Sequence, residues 1–261
     1  MVSQARSDFA EVDGHKMYLG PKDSLGLSTA GVREPLETQL VKKQIKEGDV
    51  VLDIGANLGY YTLIFARLVG SKGTVYSFEP EPYNFSLLKK NVDINGYKNV
   101  RLENAAISNK NGNTRLYLAK EHTGMHRIYP SRWVSKNYAE VKMIRLDDYF
   151  KDDFLKNRIS FIKIDVEGSE LSVLQGMQSL LDNNKEVKIM LEFVPSSIRE
   201  FGAKPMDILE LIEDNGFKFY FINSDIKKIE RSDDLAVLLQ RCDWKKTDEL
   251  APVRNLLCVR D

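Results

Sequence analysis

The chain has 261 residues, with 38 Lys plus Arg against 38 Asp plus Glu and 43% apolar residues, enough to bury one ample core. Such a composition excludes disorder as its main character, and the balanced charge gives no long-range attraction for nucleic acid or an acidic membrane. Two cysteines, Cys242 and Cys258, are too few for a disulfide framework or a structural zinc site and read as reduced thiols.

The opening residues carry no basic flank followed by an apolar core, and the longest apolar stretch, near Leu63 to Gly70, is interrupted by Arg67. A soluble, cytoplasmic protein without a membrane span is therefore expected. Val12 to Leu19 reads as a hairpin turning at Asp13-Gly14, and Glu34 to Ile45 as a helix. Residues 1–45 are thus a predicted cap on a single domain spanning 46–261. From Asp49 short Val/Ile-rich runs alternate with helical ones: VVLDIG, a helix over Leu58 to Leu68, TVYSFE, a helix over Tyr83 to Asn95, and VRLENAAI. TRLYLA and VKMIRL read as extra strands around a polar insertion, Lys120 to Ala139, expected as a loop at the mouth of the site. SFIKID, a helix over Glu170 to Leu181, KIMLEF, a helix from Pro205 to about Asp214, FKFYFI and NLLCVRD complete the chain. The alternation predicts an α/β fold with parallel, doubly covered strands joined by crossover helices.

Chemistry is concentrated at strand ends. In VVLDIGANLGYYT, an apolar strand ends in Asp53 and passes through Gly55 and Gly59 into a helix, where small residues let backbone approach a ligand. The spacing lacks the middle glycine of dinucleotide binders, since Asn57 stands there, which argues against a pyrophosphate; a structural tight turn would also explain the pair. Glu79 ends the next strand, where a carboxylate accepts two hydrogen bonds from a ribose diol. Together these features place a nucleoside across the strand tips.

DIGANLGYYT, FEPEPYNFSLLKKNVDING, NAAIS and IKIDVEGSELSVLQG, in that order, resemble the FkbM family of S-adenosylmethionine-dependent methyltransferases from about Glu34 to Phe193. The resemblance implies a seven-stranded, mostly parallel Rossmann-like sheet, bound S-adenosylmethionine, and methylation of a hydroxyl on a small molecule or sugar. It implies that Asp53, Gly55, Ala56, Asn57 and Gly59 form the methionine-side loop and that Glu79 binds the ribose. Pro80, Asn104, Ala105 and Ala106 would flank the adenine, and Glu34, in the Arg33-Glu34-Pro35 element, would touch the methionine end. It also places Asp165 and Glu167 beside the transferable methyl.

Asp165 ends a buried apolar strand, so its charge needs a partner: the ligand's amino group, a cation or the acceptor hydroxyl. Methyl transfer from a sulfonium is an in-line displacement, and a neutral hydroxyl acceptor requires a base. Asp165 leads the candidates on position, with Glu167, Glu192 and the insertion histidines His122 and His126 behind it. Asp165 and Glu192 end neighbouring strands and could share Mg2+. Trp133, Tyr129 and Tyr138 either stack on an acceptor or pin the insertion, and Arg127, Arg132 and Lys136 hint at an acidic acceptor within a mixed charged face. A nucleic-acid or protein methyltransferase is disfavoured because IDVEG replaces the Asn/Asp-Pro-Pro-Tyr/Phe motif, so no nucleic-acid partner is expected. A nicotinamide oxidoreductase and a catalytically silent S-adenosylmethionine-binding module complete the alternatives.

Overall fold

The computed structural model describes residues 9–21, 23, 25–119, 124–151, 158–224, 226–243 and 254–261. Five parallel strands form its centre: β3 (Val50–Ile54), β4 (Thr74–Phe78), β5 (Val100–Glu103), β9 (Ile159–Ile164) and β10 (Lys188–Glu192). β13 (Asn255–Arg260) runs antiparallel beside β10, then come β11 (Phe217–Asn223) and β12 (Lys228–Ser232), giving the order β12-β11-β13-β10-β9-β3-β4-β5. The expected seven strands are present, and β12 is an eighth. Its sequence, KIERS, has no apolar alternation to announce it, and its charges suit an exposed sheet edge.

β3 is buried along its whole length. Val50, Leu52 and Ile54 join the core layer that holds the helices Glu170–Gln175 and Pro205–Asp214, while Val51 joins the opposite layer with helix Tyr60–Val69. The N-terminal segment shares that second layer: Val12, Met17, Leu27 and Val41 cluster with Val51, Ile64 and Phe65. Its hairpin, β1 (Ala10–Val12) and β2 (His15–Met17), turns at Asp13-Gly14. Asn91 of helix Pro82–Ile94 fastens it, accepting from the Tyr18 N–H at 2.6 Å and donating to the Tyr18 carbonyl at 3.1 Å.

Three elements depart from the sequence expectation. The run VRLENAAI is broken after Glu103, and Ala106–Ile107 form β6 of a separate three-stranded sheet with β7 (Gly112–Ala119) and β8 (Val134–Ile144). Asn104 makes the break, its side-chain amide donating to the Glu79 and Pro80 carbonyls at 2.8 and 3.0 Å. The insertion is not all loop, because residues 134–139 belong to β8 and pair with β7, Leu116 opposite Ala139 and Tyr117 opposite Tyr138. The predicted helix from Glu170 to Leu181 stops at Gln175 and restarts at Gln178. At the break, a side chain on Gly176 would lie 2.1 Å from the Ser108 carbonyl oxygen, so only glycine lets the two segments approach there.

The strand order reverses direction around β3, with β4 following on one side and β9 on the other. That is the point at which ligands enter α/β sheets, at the carboxyl ends of the strands.

Candidate active site

A cavity of about 770 Å³ opens over the carboxyl ends of β3, β4, β9 and β10. Among the predicted residues, Asp53, Gly55, Ala56 and Asn57 line it from the first turn, and Glu79, Pro80, Ala105 and Ala106 from the next two strand ends. Asp165, Glu167, Glu192 and His126 complete the set. Glu34, Gly59 and Asn104 do not reach the wall, and His122 lies outside the described residues.

The glycine turn owes its composition to packing as much as to a ligand. Gly55, at φ 83°, has the Asp165 carbonyl oxygen 1.8 Å from where a Cβ would be, so β3 and β9 close only around a glycine. A Cβ on Gly59 would stand 2.5 Å from Leu88, which makes it the seat of helix Pro82–Ile94. Between them Asn57 adopts φ 51°, a left-handed conformation that asparagine tolerates, and this turns its N–H onto Glu79.

Glu79 is 5% exposed, and its two oxygens accept from the backbone N–H groups of Asn57 and Glu81, both at 2.8 Å. Each oxygen retains a lone pair, so the carboxylate is oriented yet able to receive two hydroxyls. Burial pushes its pKa up to about 8 despite those two donors. Asp53 is fully buried with Oδ2 accepting from Thr62 at 2.5 Å, while Oδ1 has no hydrogen-bond partner among the described residues.

The acids beyond β9 and β10 form one cluster, with ligand oxygens of Asp165, Glu167 and Glu192 within 4.8 Å of one another. Asp165 does not wait for a ligand to meet its charge: Lys163 Nζ sits 2.7 Å from its Oδ2. Lys163 is 4% exposed, on the same face of β9 two residues earlier, and also lies 4.9 Å from the Tyr61 ring centre. Burial would raise the Asp165 pKa, but the Lys163 ammonium and the Arg33 guanidinium outweigh it and hold the group below its ordinary value. The other two acids move the opposite way. Burial, then the negative charge of Asp165, pushes Glu167 up to about 8 and Glu192 well above the usual carboxylate range. Ionising all three together is unfavourable at this separation, so the cluster stores protons near neutral pH.

Of the predicted bases, His126 accepts from the Ala119 N–H at 2.9 Å through Nδ1, which in the neutral ring leaves the proton on Nε2. Arg127, read in the sequence as one of three basic residues of the insertion, is the centre of a buried polar network. Its guanidinium is 3% exposed and donates to Glu200 at 2.7 Å, Ser131 at 3.1 Å, Ser197 at 3.2 Å and Glu167 at 3.5 Å. That charge is spent on protein acids, as is that of Arg199, which pairs with both oxygens of Asp243. The three aromatics separate. Tyr129 pins the insertion through its hydroxyl to the Glu167 and Ser197 carbonyls, Trp133 lines the cavity under Arg132, and Tyr138 is exposed against Arg115. The Lys163 signal was present in the sequence as a lone lysine inside the apolar run SFIKID, whereas nothing local separates the buried Arg127 from Arg132 and Lys136 of the same insertion.

The geometry is accompanied by similarity to known proteins. A family model described as the methyltransferase FkbM domain matches residues 53–219, a span holding the glycine turn, Glu79 and all three clustered acids. Methyltransferase 1 of Beauveria bassiana is 24% identical over 245 residues, covering 82% of this chain and 87% of that protein. Hexuronic acid methyltransferase AglP of Haloferax volcanii is 25% identical over 200 residues, 76% of this chain and 74% of that protein. The 31-O-demethyl-FK506 methyltransferase FkbM of Streptomyces tacrolimicus is 28% identical over 163 residues, 52% and 62% of the two chains. Among the described residues no helix is long and apolar enough to cross a membrane. The chain belongs to the FkbM methyltransferase family and is an S-adenosylmethionine-dependent methyltransferase.

Proposed function

We propose that the protein methylates a hydroxyl oxygen of a small-molecule or sugar acceptor held beneath the residue 124–133 segment. The observation that carries this reading is the Asp165–Glu167–Glu192 cluster on the wall of the cavity that also contains Glu79, because an alcohol must lose a proton as it is methylated. Relatives named for hexuronic acid and for 31-O-demethyl-FK506 support an oxygen acceptor of this kind.

In this reading the ribose diol lies on Glu79, and the nucleoside follows the turn from Asp53 through Asn57 with Pro80, Ala105 and Ala106 around the base. The acceptor oxygen attacks the methyl carbon in line; the new O–CH3 bond forms as the S–CH3 bond breaks, leaving S-adenosylhomocysteine and a methyl ether. Glu167 takes the hydroxyl proton. Asp165, compensated by Lys163, stays ionised and holds the local field, so the base role moves from Asp165 to its neighbour.

A divalent cation such as Mg2+ on the three carboxylates is a second reading, favoured by their spacing within 4.8 Å. Against it, Lys163 already neutralises Asp165 at 2.7 Å, and a cation would compete with that ammonium. Turnover in the presence of a chelator is expected to persist; loss on chelation with recovery on adding Mg2+ would support the metal.

The test of function is release of S-adenosylhomocysteine from S-adenosylmethionine, measured across a panel of glycosides, uronic acids and hydroxylated small molecules, with methyl ethers identified by mass spectrometry. Donor binding with no release for any panel member would favour the silent binding module.

A further inference from the structure

Glu167 stands in a strained turn. Its φ is 56° and that of Gly168 is 110°, two successive positive values between β9 and helix Glu170–Gln175. The first is disfavoured for any residue with a Cβ, and such a conformation persists only where its surroundings over-determine it. The carboxylate itself is held loosely, by Arg127 Nη2 at 3.5 Å. Where it points is therefore decided by the backbone that carries it.

That backbone is gripped at one peptide unit. The Glu167 carbonyl accepts from the Tyr129 hydroxyl at 3.0 Å, and the Gly168 N–H, the other end of the same peptide plane, donates to Glu170 Oε1 at 2.9 Å. A planar peptide held at both its oxygen and its nitrogen resists rotation about ψ of Glu167 and φ of Gly168, the two rotations that would release the turn. The holders come from different parts of the chain. Glu170 opens the helix after the turn, whereas Tyr129 belongs to the cavity roof. The Tyr129 ring packs against Phe201 with centroids 5.3 Å apart, and its single hydroxyl proton is shared with the Ser197 carbonyl, also at 3.0 Å. Burial pushes the phenol pKa up, so the hydroxyl stays a donor across the neutral range. Gly168 lets roof and turn come so close: a Cβ there would lie 2.7 Å from the Tyr129 oxygen and 2.6 Å from the Ser197 carbonyl oxygen.

We propose that Tyr129 is a positioning residue for Glu167: by holding the Glu167–Gly168 peptide from the roof, it aims the carboxylate at the acceptor oxygen, so that the base is in place only when the roof is seated. The assignment rests on the reading of Glu167 as the base. Tyr129 acts on orientation alone, so its loss should appear in the chemical step and not in the binding of donor or acceptor.

Steady-state kinetics on the full chain test this, with saturating S-adenosylmethionine and, as acceptor, the glycoside, uronic acid or hydroxylated small molecule that the wild type methylates fastest. Tyr129→Phe keeps the ring and removes only the hydroxyl. It is expected to lower kcat by about 10- to 100-fold, with acceptor KM and the calorimetric affinity for S-adenosylhomocysteine within about threefold of wild type. In a Glu167→Gln background the same change is expected to cost less than about twofold, because aiming a base has no value once the base is gone. Glu170 tests the other end of the clamp. Glu170→Met should repeat the Tyr129→Phe pattern, and Glu170→Gln, whose amide oxygen can still accept from Gly168, should recover most of the lost rate; this pair carries the test if Tyr129→Phe does not fold. An unchanged kcat in Tyr129→Phe, or a loss undiminished in the Glu167→Gln background, would overturn the proposal. So would a rise in acceptor KM at constant kcat, which would show that Tyr129 only seats the roof. Wild-type turnover in Glu167→Gln itself, or no methylation of any acceptor, would instead overturn the base or oxygen-acceptor reading and this assignment with it.

Discussion

At the scale of single residues, position and charge state give different answers about the catalytic base. Asp165 has the favoured position, at the tip of β9, but the Lys163 ammonium at 2.7 Å makes it a weak acceptor of protons. Glu167 has the proton affinity a base needs, with a pKa pushed up to about 8 by burial and by Asp165. Glu167→Gln should therefore lower kcat by about 10²- to 10⁴-fold, the usual worth of general base catalysis, while S-adenosylhomocysteine binding is retained. The pH profile supplies the sign. A base works when deprotonated, so kcat/KM should rise with pH and level off near about 8, and the rising limb should vanish in Glu167→Gln. A flat profile in the wild type would move the role elsewhere. The sequence revealed Asp165 and Glu167 because they follow a buried strand in a recognisable motif. It could not reveal the difference between them, since that depends on which acid Lys163 reaches.

At the scale of elements, the alternation of apolar runs with helical ones was enough to anticipate every central strand, because strands covered on both faces are written as nearly unbroken apolar segments. What escaped was structure made by long-range contact. β12 depends on pairing with β11, the helix break at Gly176 depends on the Ser108 backbone, and residues 134–139 become strand only by facing β7. The cavity roof is of the same kind. Residues 124–133 are joined to the catalytic edge chiefly through Arg127, which reaches Ser197 and Glu200 of helix Pro195–Phe201 and Glu167 of the loop after β9. Removing one partner of a buried charge network leaves the others unsatisfied. Arg127→Met is expected to raise amide hydrogen exchange across 124–133 by about tenfold or more while exchange in β3 and β9 stays at wild-type levels. Unchanged exchange in that segment would mean that the Tyr129 hydroxyl and the β7–β8 pairing hold it without Arg127.

At the scale of the whole molecule, the site carries a stability cost that pH should expose. Glu79 and Glu167 hold protons up to about pH 8 and Glu170 up to about 7 in the native state, mainly because burial disfavours their charged forms. In the unfolded chain the same groups ionise near their ordinary values, so over this window the native state binds more protons. Stability must then fall as pH rises from the ordinary carboxylate range toward about 8. His15 acts in the opposite direction, but only at lower pH: buried and held near about 4, it destabilises the fold as pH falls below the ordinary histidine range. Near neutral pH the buried glutamates set the slope, and unfolding free energy of the ligand-free protein should drop between about pH 6.5 and about pH 8 by about 1 to 2 kcal/mol for each group whose pKa lies near about 8. Bound donor should reverse the trend at one group. Ribose hydroxyls donating to Glu79 favour its carboxylate, so stabilisation by S-adenosylhomocysteine should grow with pH across the same interval. Urea denaturation at both pH values, with and without S-adenosylhomocysteine, measures the two slopes. Glu79→Gln should flatten part of the first and abolish the pH dependence of the second, and a wild-type stability that rises toward pH 8 would show that these buried acids are already ionised in the native protein.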